Sequence, residues 1–561
     1  MVLEKLSFSP QFAVSSTMSR LIFWCQLSTG VVSLLFLPAE STAAAAAPPP
    51  AAPAPVAAPV REIAPGPFKP DWNSLAHYQC PEWFRDAKFG IWSRWDAQSV
   101  PAKGDDYARN LYIPRDPRVS RPNPDYIWHL DHYGHPTQFG FKDLIPLWTA
   151  AQWAPEQILA LYRRAGARYF VALANDHDNF DCYASKFQPW NSIALGPHKD
   201  IVGVWAAGAR AAGLRFGVSV GAADAWTWFE PAQHADTSGP FFGVTYDGRL
   251  TGGDGHGEWW SGFDPQDLYA QDHFVGAKPD PEYVTKFFNR THDLIDQYHP
   301  DLLVFDSVDL PLGEAGLNLA AHFYNSSVAA GQGQPAGVLT AHQIKPLRLQ
   351  AVVEAWERAS TDQIQRDPWQ AETSIGQWQY RAGQAYRTVP DMAHLLVDVV
   401  SKNGNLLLNV PLQAGGIPDP DEVKVLDGLT EWMNVQGEGI YASRPWKVYG
   451  EGPSAAKPTP EGTVPETSLR VALQDYRFTQ SKDGHALYVF FFGSPPGGRL
   501  TVKSLAKTGE KADLLEKRIT SLSLLGSTAA IVWTQDAHGL QVQLPTSLPN
   551  DFACALKLEL E

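Results

Sequence analysis

The chain has 561 residues, 44% of them hydrophobic, enough apolar material for large cores in two or more domains and a globular fold over most of its length. Its net charge of −15 would be repelled by nucleic acid and by anionic membranes, so a neutral substrate fits better. The 20 Trp, 19 Tyr and 27 Phe tilt the balance toward sugar rings, whose apolar faces suit aromatic ones, with an aromatic core as the plainer alternative.

Arg20 precedes a mostly apolar run over 21–37, and small residues follow at 41–47. This pattern predicts a secretory signal over 1–45, cleaved near Ala43 to Ala47, and export to the periplasm or the extracellular space. A retained anchor is weakened by Gln26, Ser28, Thr29 and Ser33 within the run. Cys25 lies before most of the run, where a lipoprotein cysteine would not be. Cys80, Cys182 and Cys554 are too widely spaced for a disulfide framework or a Cys-x-x-Cys metal site. Residues 46–69, rich in Ala and Pro, read as an extended linker, so the folded chain is expected to begin near Pro70.

Between residues 70 and 445, apolar runs at 89–93, 168–174, 214–220, 302–305, 351–355 and 406–410 alternate with helical patterns at 155–165, 201–212 and 390–400. The rhythm predicts an α/β fold, a (β/α)8-type TIM-like barrel; a doubly wound sheet is disfavoured because no Gly-x-Gly-x-x-Gly follows a strand. Residues 237–280, rich in Gly, Asp and Trp, read as a long insertion over the barrel mouth. From 446 to 561, short runs at 486–492, 499–502, 519–524, 529–533, 540–544 and 554–560, punctuated by Gly, Pro, Asp and Ser, predict a C-terminal antiparallel β-sandwich.

Within the barrel region, His-Pro-Asp-Leu-Leu-Val-Phe-Asp at 299–306 describes a doubly buried strand ending in a carboxylate. Apolar residues at 287, 288, 294, 295 and 298 supply the helix before it. Reacting groups of parallel barrels sit at the carboxyl ends of strands, which puts Asp306 at the mouth; a helix cap is the structural alternative.

Several segments together resemble the family 29 glycoside hydrolases, the α-L-fucosidases. They include Trp83-Phe84-Arg85-Asp86-Ala87-Lys88-Phe89-Gly90-Ile91, Ser99-Val100-Pro101, His177-Asp178-Asn179-Phe180, Trp190-Asn191-Ser192, Gly196-Pro197-His198-Lys199-Asp200, the run Val399 to Asn409, and Gly437-Glu438-Gly439-Ile440-Tyr441. The resemblance spans roughly 75 to 560 and implies a barrel followed by the family's β domain. It also implies a retaining double displacement with Asp306 as nucleophile and a second carboxyl as acid/base, the two about 5 to 5.5 Å apart.

For the acid/base the resemblance leaves two candidates. Relatives carry Trp-Glu a dozen residues after a sugar-contacting Arg, but the residue at that spacing from Arg358 is Gln370, which cannot exchange a proton. Glu372 lies on the same side of an extended chain as Gln370, and Glu357 lies beside Arg358; either could instead be a salt-bridge partner of that Arg. The sugar pocket departs further. Where relatives have His, this chain has Arg94 in Trp92-Ser93-Arg94-Trp95-Asp96, and where they have His-His-Asp it has Asp176-His177-Asp178. Each substitution buries a charge, so Arg94 and Asp176 are expected to pair across the pocket floor. The Tyr that relatives carry after the third strand is matched by Ser219 or Val220.

Arg94, Trp95, Asp176, His177, Trp190 and Arg358 are thus the expected sugar-binding set, with Trp226 a further platform and a core role nearly as plausible for each Trp. Asp176, His177 and Asp178 look like metal ligands, but adjacent strand residues alternate faces and sugar binding explains His177 better. Asp254, His256 and Glu258 read as a solvated loop, and Asn191 and Asn409 as structural hydrogen-bonding residues. No metal and no cofactor is expected. The sequence-based expectation is an exported exo-acting α-L-fucosidase-like hydrolase acting on a glycan with a terminal α-L-sugar. An α-L-galactosidase on the same fold, or a carbohydrate-binding protein with a degenerate site, remains the alternative.

Overall fold

The computed structural model describes residues 60–116, 120–331, 333–344, 350–455, 462–507 and 514–561. The expected signal, Arg20, Cys25 and the linker up to residue 59 lie outside the described residues.

Eight parallel strands close a barrel in chain order: β1 Phe89–Ser93, β2 Tyr169–Asn175, β3 Arg215–Val220, β4 Leu302–Val308, β5 Val338–His342, β6 Val353–Glu357, β7 Trp369–Ser374 and β8 Gly404–Asn409. β1 pairs with both β2 and β8, which leaves no edge. β1, β2, β7 and β8 are buried at every position, as strands covered on both faces must be. The helices of ten or more residues among the described ones are α1 Pro155–Arg164, α2 Ile201–Ala211, α3 Pro281–Tyr298, α4 Glu314–Ala330, α5 Val389–Ser401 and α6 Pro420–Gln436. α3 and α6 start on Asp-Pro pairs: Asp280 accepts from the Tyr283 N–H and Asp419 from the Asp421 N–H, while the proline fills a position whose N–H has no helical partner. Among the described residues no helix joins β5 to β6 or β6 to β7.

The barrel interior is polar on its β7 side. The Tyr169 hydroxyl donates to Gln370 Oε1 at 3.0 Å, and Gln370 Nε2 to Glu372 Oε1 at 2.8 Å. A Cβ on Gly90 would lie 2.2 Å from the Tyr169 ring, so the ring's place inside the barrel requires glycine there. This polar facing explains why β7, with Gln370, Glu372 and Ser374 along it, lacks the apolar signature of its neighbours.

From Arg444 the chain forms two antiparallel sheets, one of five strands (444–451, 476–480, 486–491, 554–560 and 519–524) and one of three (499–502, 539–543 and 532–536). Phe478, Leu487, Val489, Leu500, Val502, Leu540 and Leu556 form their shared core. This is the expected antiparallel β domain. It is bound to the barrel through Arg477, whose Nε donates to Asp398 of α5 at 2.8 Å, both fully buried. A short strand, Thr463–Pro465, pairs antiparallel with Ala359–Thr361 just after β6.

Two expectations about boundaries need correction. The packed chain begins before Pro70: Arg61 donates to Asn289, Asp293 and Asp296 of α3, and the N–H of Phe68 to Asn325 of α4. Polar side chains on these helices hold the backbone of 61–68, so this end of the Ala/Pro segment is a docked strap. The insertion over 237–280 contributes no residue to the lining of the cavity at the barrel mouth. Asp247, accepting from Tyr112 and Tyr269, anchors it against the segment after β1, and its Tyr246, Trp260, Phe263 and Leu268 are buried there. Cys80, Cys182 and Cys554 are free. Among the described residues no helix is long and apolar enough to cross a membrane.

Candidate active site

The carboxyl ends of the strands open into a cavity of about 370 Å³. Arg94 follows β1, Asp176 follows β2, Asp306 lies near the end of β4, Glu357 closes β6, and Trp378 and Gln379 follow β7. Five strand ends supply these groups, and the parallel topology gathers them at one end of the barrel.

The floor is an ion cluster centred on Arg94. Its Nη2 donates to both oxygens of Asp176, at 2.7 and 2.8 Å, and its Nη1 to Asp306 Oδ2 at 2.8 Å. The expected pairing across the floor is present, and the guanidinium also takes in the nucleophile candidate. Burial alone would raise the Asp176 carboxyl, but Arg94 and His177 outweigh it and hold it at about 2. Burial would depress the Arg94 guanidinium, yet Asp176 and Asp306 keep it above its ordinary value, charged at every accessible pH. Asn409 Oδ1 accepts from the Arg94 N–H, and Trp92 and Trp378 lie 5.1 and 5.4 Å from the guanidinium carbon. Asn409 is therefore structural, as expected, and holds the residue that defines the floor.

His177 Nδ1 donates to the Gly221 carbonyl at 2.8 Å, which leaves Nε2 for the cavity. Burial pulls this imidazole down, while Asp176 and Asp306 beside it raise it above the usual histidine value. Ligand atoms of Asp176, His177 and Asp306 lie within 4.8 Å of one another, the spacing of a metal site. The guanidinium already takes both oxygens of Asp176 and one of Asp306, so Arg94 supplies the positive charge that these carboxylates face. Asp178 faces away from the cavity; burial, then Asp96 and Asp176, push its carboxyl well up, and Asp96 is pushed up to about 7 by burial and Asp176.

The acid/base candidates separate. Glu357 lines the cavity, is exposed, and accepts from Trp378 Nε1 at 3.0 Å. Glu372 is 1% exposed and does not line the cavity. Its Oε2 is 2.8 Å from His342 Nε2, and Gln370 occupies its other oxygen. Burial would lower His342, but Glu372, then Asp306 and Glu357, raise it to about 9, so Glu372 is the partner of a buried imidazolium. It cannot face a leaving group, which corrects its assignment as acid/base; the alternation of β7 points it into the barrel beside Gln370.

Two expected sugar platforms are core residues. Trp95 is 1% exposed, donates to the Gln413 carbonyl and packs between Trp148 and Trp153. Trp190 is fully buried and donates to the Asp264 carbonyl of the insertion. Trp226 likewise donates to the Ala277 carbonyl. Asn191 caps a turn at the Gln188 carbonyl, and Asp254 accepts from Thr251 in a local cap. Ser219 accepts from Trp92 Nε1 inside the barrel. Arg358 does line the cavity, 4.9 Å from the Trp378 ring. Its Nη1 lies 3.6 Å from Glu466, and the Glu466 N–H donates to the Arg358 carbonyl at 2.9 Å, so the chain that leads into the β domain steadies one wall of the cleft. Trp228, Trp378, Asp105, Asp106, Gln98 and Gln379 also line the cavity and were not singled out from sequence. Their signal is position: Gln98 and Gly104-Asp105-Asp106 follow β1, and Trp378-Gln379 follow β7.

Comparison with known proteins agrees with this geometry. The family described as Alpha-L-fucosidase matches residues 56–438, and the Alpha-L-fucosidase C-terminal domain matches 471–559. The chain is similar to the tissue alpha-L-fucosidase of Mus musculus, 27% identical over 530 residues that cover 88% of this chain and 95% of that protein. It is also similar to the plasma alpha-L-fucosidase of Homo sapiens, 26% identical over 510 residues that cover 87% and 90%. Among solved structures, Thermotoga maritima alpha-fucosidase superposes with a TM-score of 0.63 at 24% identity, covering 88% of this chain and 100% of that one, a likeness of fold.

Proposed function

The chain belongs to the α-L-fucosidase family and is a glycoside hydrolase, and from that premise we propose that it releases a terminal α-L-fucose from glycans by double displacement, with Asp306 as nucleophile and Glu357 as acid/base. The observation that carries this reading is the placement of both carboxyls in the lining of one cavity, at the carboxyl ends of β4 and β6.

Arg94 holds Oδ2 of Asp306, and Oδ1 accepts no hydrogen bond among the described residues, so Oδ1 is the attacking oxygen. As it bonds to the anomeric carbon, the bond from that carbon to the glycosidic oxygen breaks, and Glu357 gives its proton to the departing oxygen. A glycosyl ester on Asp306 results. Water then attacks the anomeric carbon, Glu357 takes its proton, and the ester bond breaks to free the sugar and restore both carboxyls. His177 Nε2 and Arg358 are placed to bond ring hydroxyls, while Asp176, spent on Arg94, keeps the floor charged and ordered. An open cavity closed at its floor by ions suits exo action on a chain end. The signal-like N-terminus supports export, where glycan ends are met.

Release of free sugar from a panel of aryl α-L-fucosides, α-L-galactosides and other α-L-glycosides tests the reading. Fucose released with retained configuration supports it; turnover of only another α-L-glycoside would reassign the sugar, and no turnover of any would overturn it.

A further inference from the structure

Glu357 is exposed, and among the described residues its carboxyl has one hydrogen-bond partner: Trp378 Nε1 donates to Oε1 at 3.0 Å. Arg358, next to it in sequence, is turned instead toward Glu466 and the Trp378 ring. The indole is the better held of the two groups. Its ring lies 5.4 Å from the Arg94 guanidinium carbon and 4.9 Å from that of Arg358, with the Trp92 ring 5.7 Å away at 56°. The backbone around it is tied as well. Ser374 Oγ donates to the Gln377 carbonyl at 2.6 Å, Asn409 Nδ2 to the Trp378 carbonyl at 2.9 Å, and the Gln379 N–H to Asp105 Oδ1 at 3.0 Å.

An indole N–H donates and never accepts. Oε1 of Glu357 is therefore an acceptor in both protonation states, and the proton that the reaction moves sits on Oε2. A long exposed side chain left to itself would spread that proton over several rotamers, which lowers the effective concentration of acid at the glycosidic oxygen. Trp378 also packs against Arg94, the residue that holds Asp306. One fixed ring thus spans the clamp on the nucleophile and the acid/base.

We propose that Trp378 is a positioning residue for Glu357, its indole N–H holding the carboxyl in the orientation that presents the Oε2 proton to the departing oxygen. The assignment rests on the function proposed above, and the indole acts through Glu357, not on the bond that breaks.

Trp378→Phe keeps a ring between the two guanidiniums and removes the N–H. The parent, Trp378→Phe, Glu357→Gln and the double variant are assayed on phenyl α-L-fucoside, whose departing oxygen needs a proton, and on the dinitrophenyl fucoside, whose departing oxygen does not. Trp378→Phe should lower kcat/KM on the phenyl substrate by about tenfold or more, the loss of one hydrogen bond to a charged group, and on the dinitrophenyl substrate by less than about threefold. In the Glu357→Gln background it should add less than about threefold on either substrate. A merely structural role predicts the same loss on both substrates and in both backgrounds, and that result would overturn the assignment. Where Trp378→Phe lowers the thermal midpoint, a side chain with benzothiophene in place of indole, sulfur for N–H in the same outline, decides by the same two comparisons. A parent that turns over fucosides while Glu357→Gln is indifferent to the leaving group removes Glu357 as acid/base and the role of Trp378 with it. A parent that cleaves no α-L-fucoside sinks the proposed sugar alone, and the comparison is then made on the phenyl and dinitrophenyl forms of whichever α-L-glycoside it cleaves; no turnover of any overturns both readings.

Discussion

Among the described residues, two places bring three histidine or carboxylate ligand atoms within 4.8 Å: Asp176, His177 and Asp306 in the cleft, and His292, Asp296 and His322 on α3 and α4 beneath the strap. Each has an arginine on its carboxylate, Arg94 in the first and Arg61, 2.7 Å from Asp296, in the second. Composition makes them near twins. In the cleft the arginine binds two carboxylates, Oδ1 of Asp306 stays unbonded among the described residues and His177 Nε2 faces open space. Under the strap the polar atoms are turned to backbone: His292 Nε2 donates to the Glu62 carbonyl, and the Ala64 N–H donates to His322 Nδ1. With Nδ1 an acceptor, His322 carries its proton on Nε2, toward Asp296 Oδ1 at 3.0 Å, and has no lone pair there for a metal. What a cluster does is decided by which lone pairs remain and what space they face.

The strongest way to break this comparison is at Asp306. Asp306→Ala should lower kcat/KM by roughly a thousandfold or more, a loss of about 4 kcal/mol of transition-state stabilisation, with the fold intact and partial rescue by formate or azide. His322→Gln, by contrast, should leave turnover at neutral pH unchanged. Similar losses in both variants would erase the distinction.

Next in size is the division between the two glutamates. Glu357→Gln should cost about a hundredfold or more on substrates with poor leaving groups and far less on dinitrophenyl glycosides, whose departing oxygen needs no proton. Glu372→Gln strips the partner from the buried His342 imidazolium and should act on stability, by about 3 to 5 kcal/mol in a denaturant titration. A leaving-group dependence that follows Glu372 in place of Glu357 would reverse the assignment.

A smaller effect sharpens the account of the floor. Arg94→Met leaves Asp176 and Asp306 uncompensated and should cost about 3 to 5 kcal/mol, as should Asp176→Ala, which leaves half of the guanidinium unpaired. The double change Arg94→His with Asp176→His removes both charges together and should be milder than the sum of the singles. Additive effects in the cycle would mean that the two positions are independent despite their contact.

The barrel was legible wherever strands are apolar on both faces: the runs at 89–93, 168–174, 214–220 and 302–305 lie on β1 to β4 with small shifts at the ends. β5 and β7 were missed because Thr340, His342, Gln370 and Glu372 turn polar groups into the barrel, and no periodicity scale reads a polar interior. The strands 444–451 and 476–480 were missed because Arg444, Lys447 and Arg477 break the apolar pattern; Arg477 is nonetheless buried, matched by Asp398 across the domain contact. Asp306 and the Arg94–Asp176 pair were reachable because a charge at a strand end must find a partner or a task. Trp95 and Trp190 misled because a tryptophan next to a site residue looks the same in sequence whether its ring faces sugar or core. Gln98 and Gln379 carried only the signal of position, after β1 and β7, and no charge or motif that would have singled them out.

The last prediction concerns the strap, where the comparison is finest. Burial, then His292, push the His322 imidazole down to about 4, against the pull of Asp296 and with Arg61 adding to the repulsion. Glu62 and Asp293 lie on the same contact, the latter bound to Arg61 at 3.0 Å. Protonation would put an N–H on Nδ1 facing the Ala64 N–H, two donors in place of a bond. Because the folded value is below the ordinary one of 6.5, the folded state binds fewer protons than the undocked state between those limits. Strap docking should therefore be fully stable above about pH 6.5, weaken as the pH falls toward 4, and lose at most about 3 kcal/mol below that. Hydrogen-exchange protection of the Ala64 amide across this range reads it directly, with His322→Gln as the variant that cannot titrate. Protection that falls in the parent and stays level in the variant places the switch on His322; equal protection at pH 7 and pH 4.5 in the parent would show that the strap is held by Arg61 and Asn325 without help from the histidine.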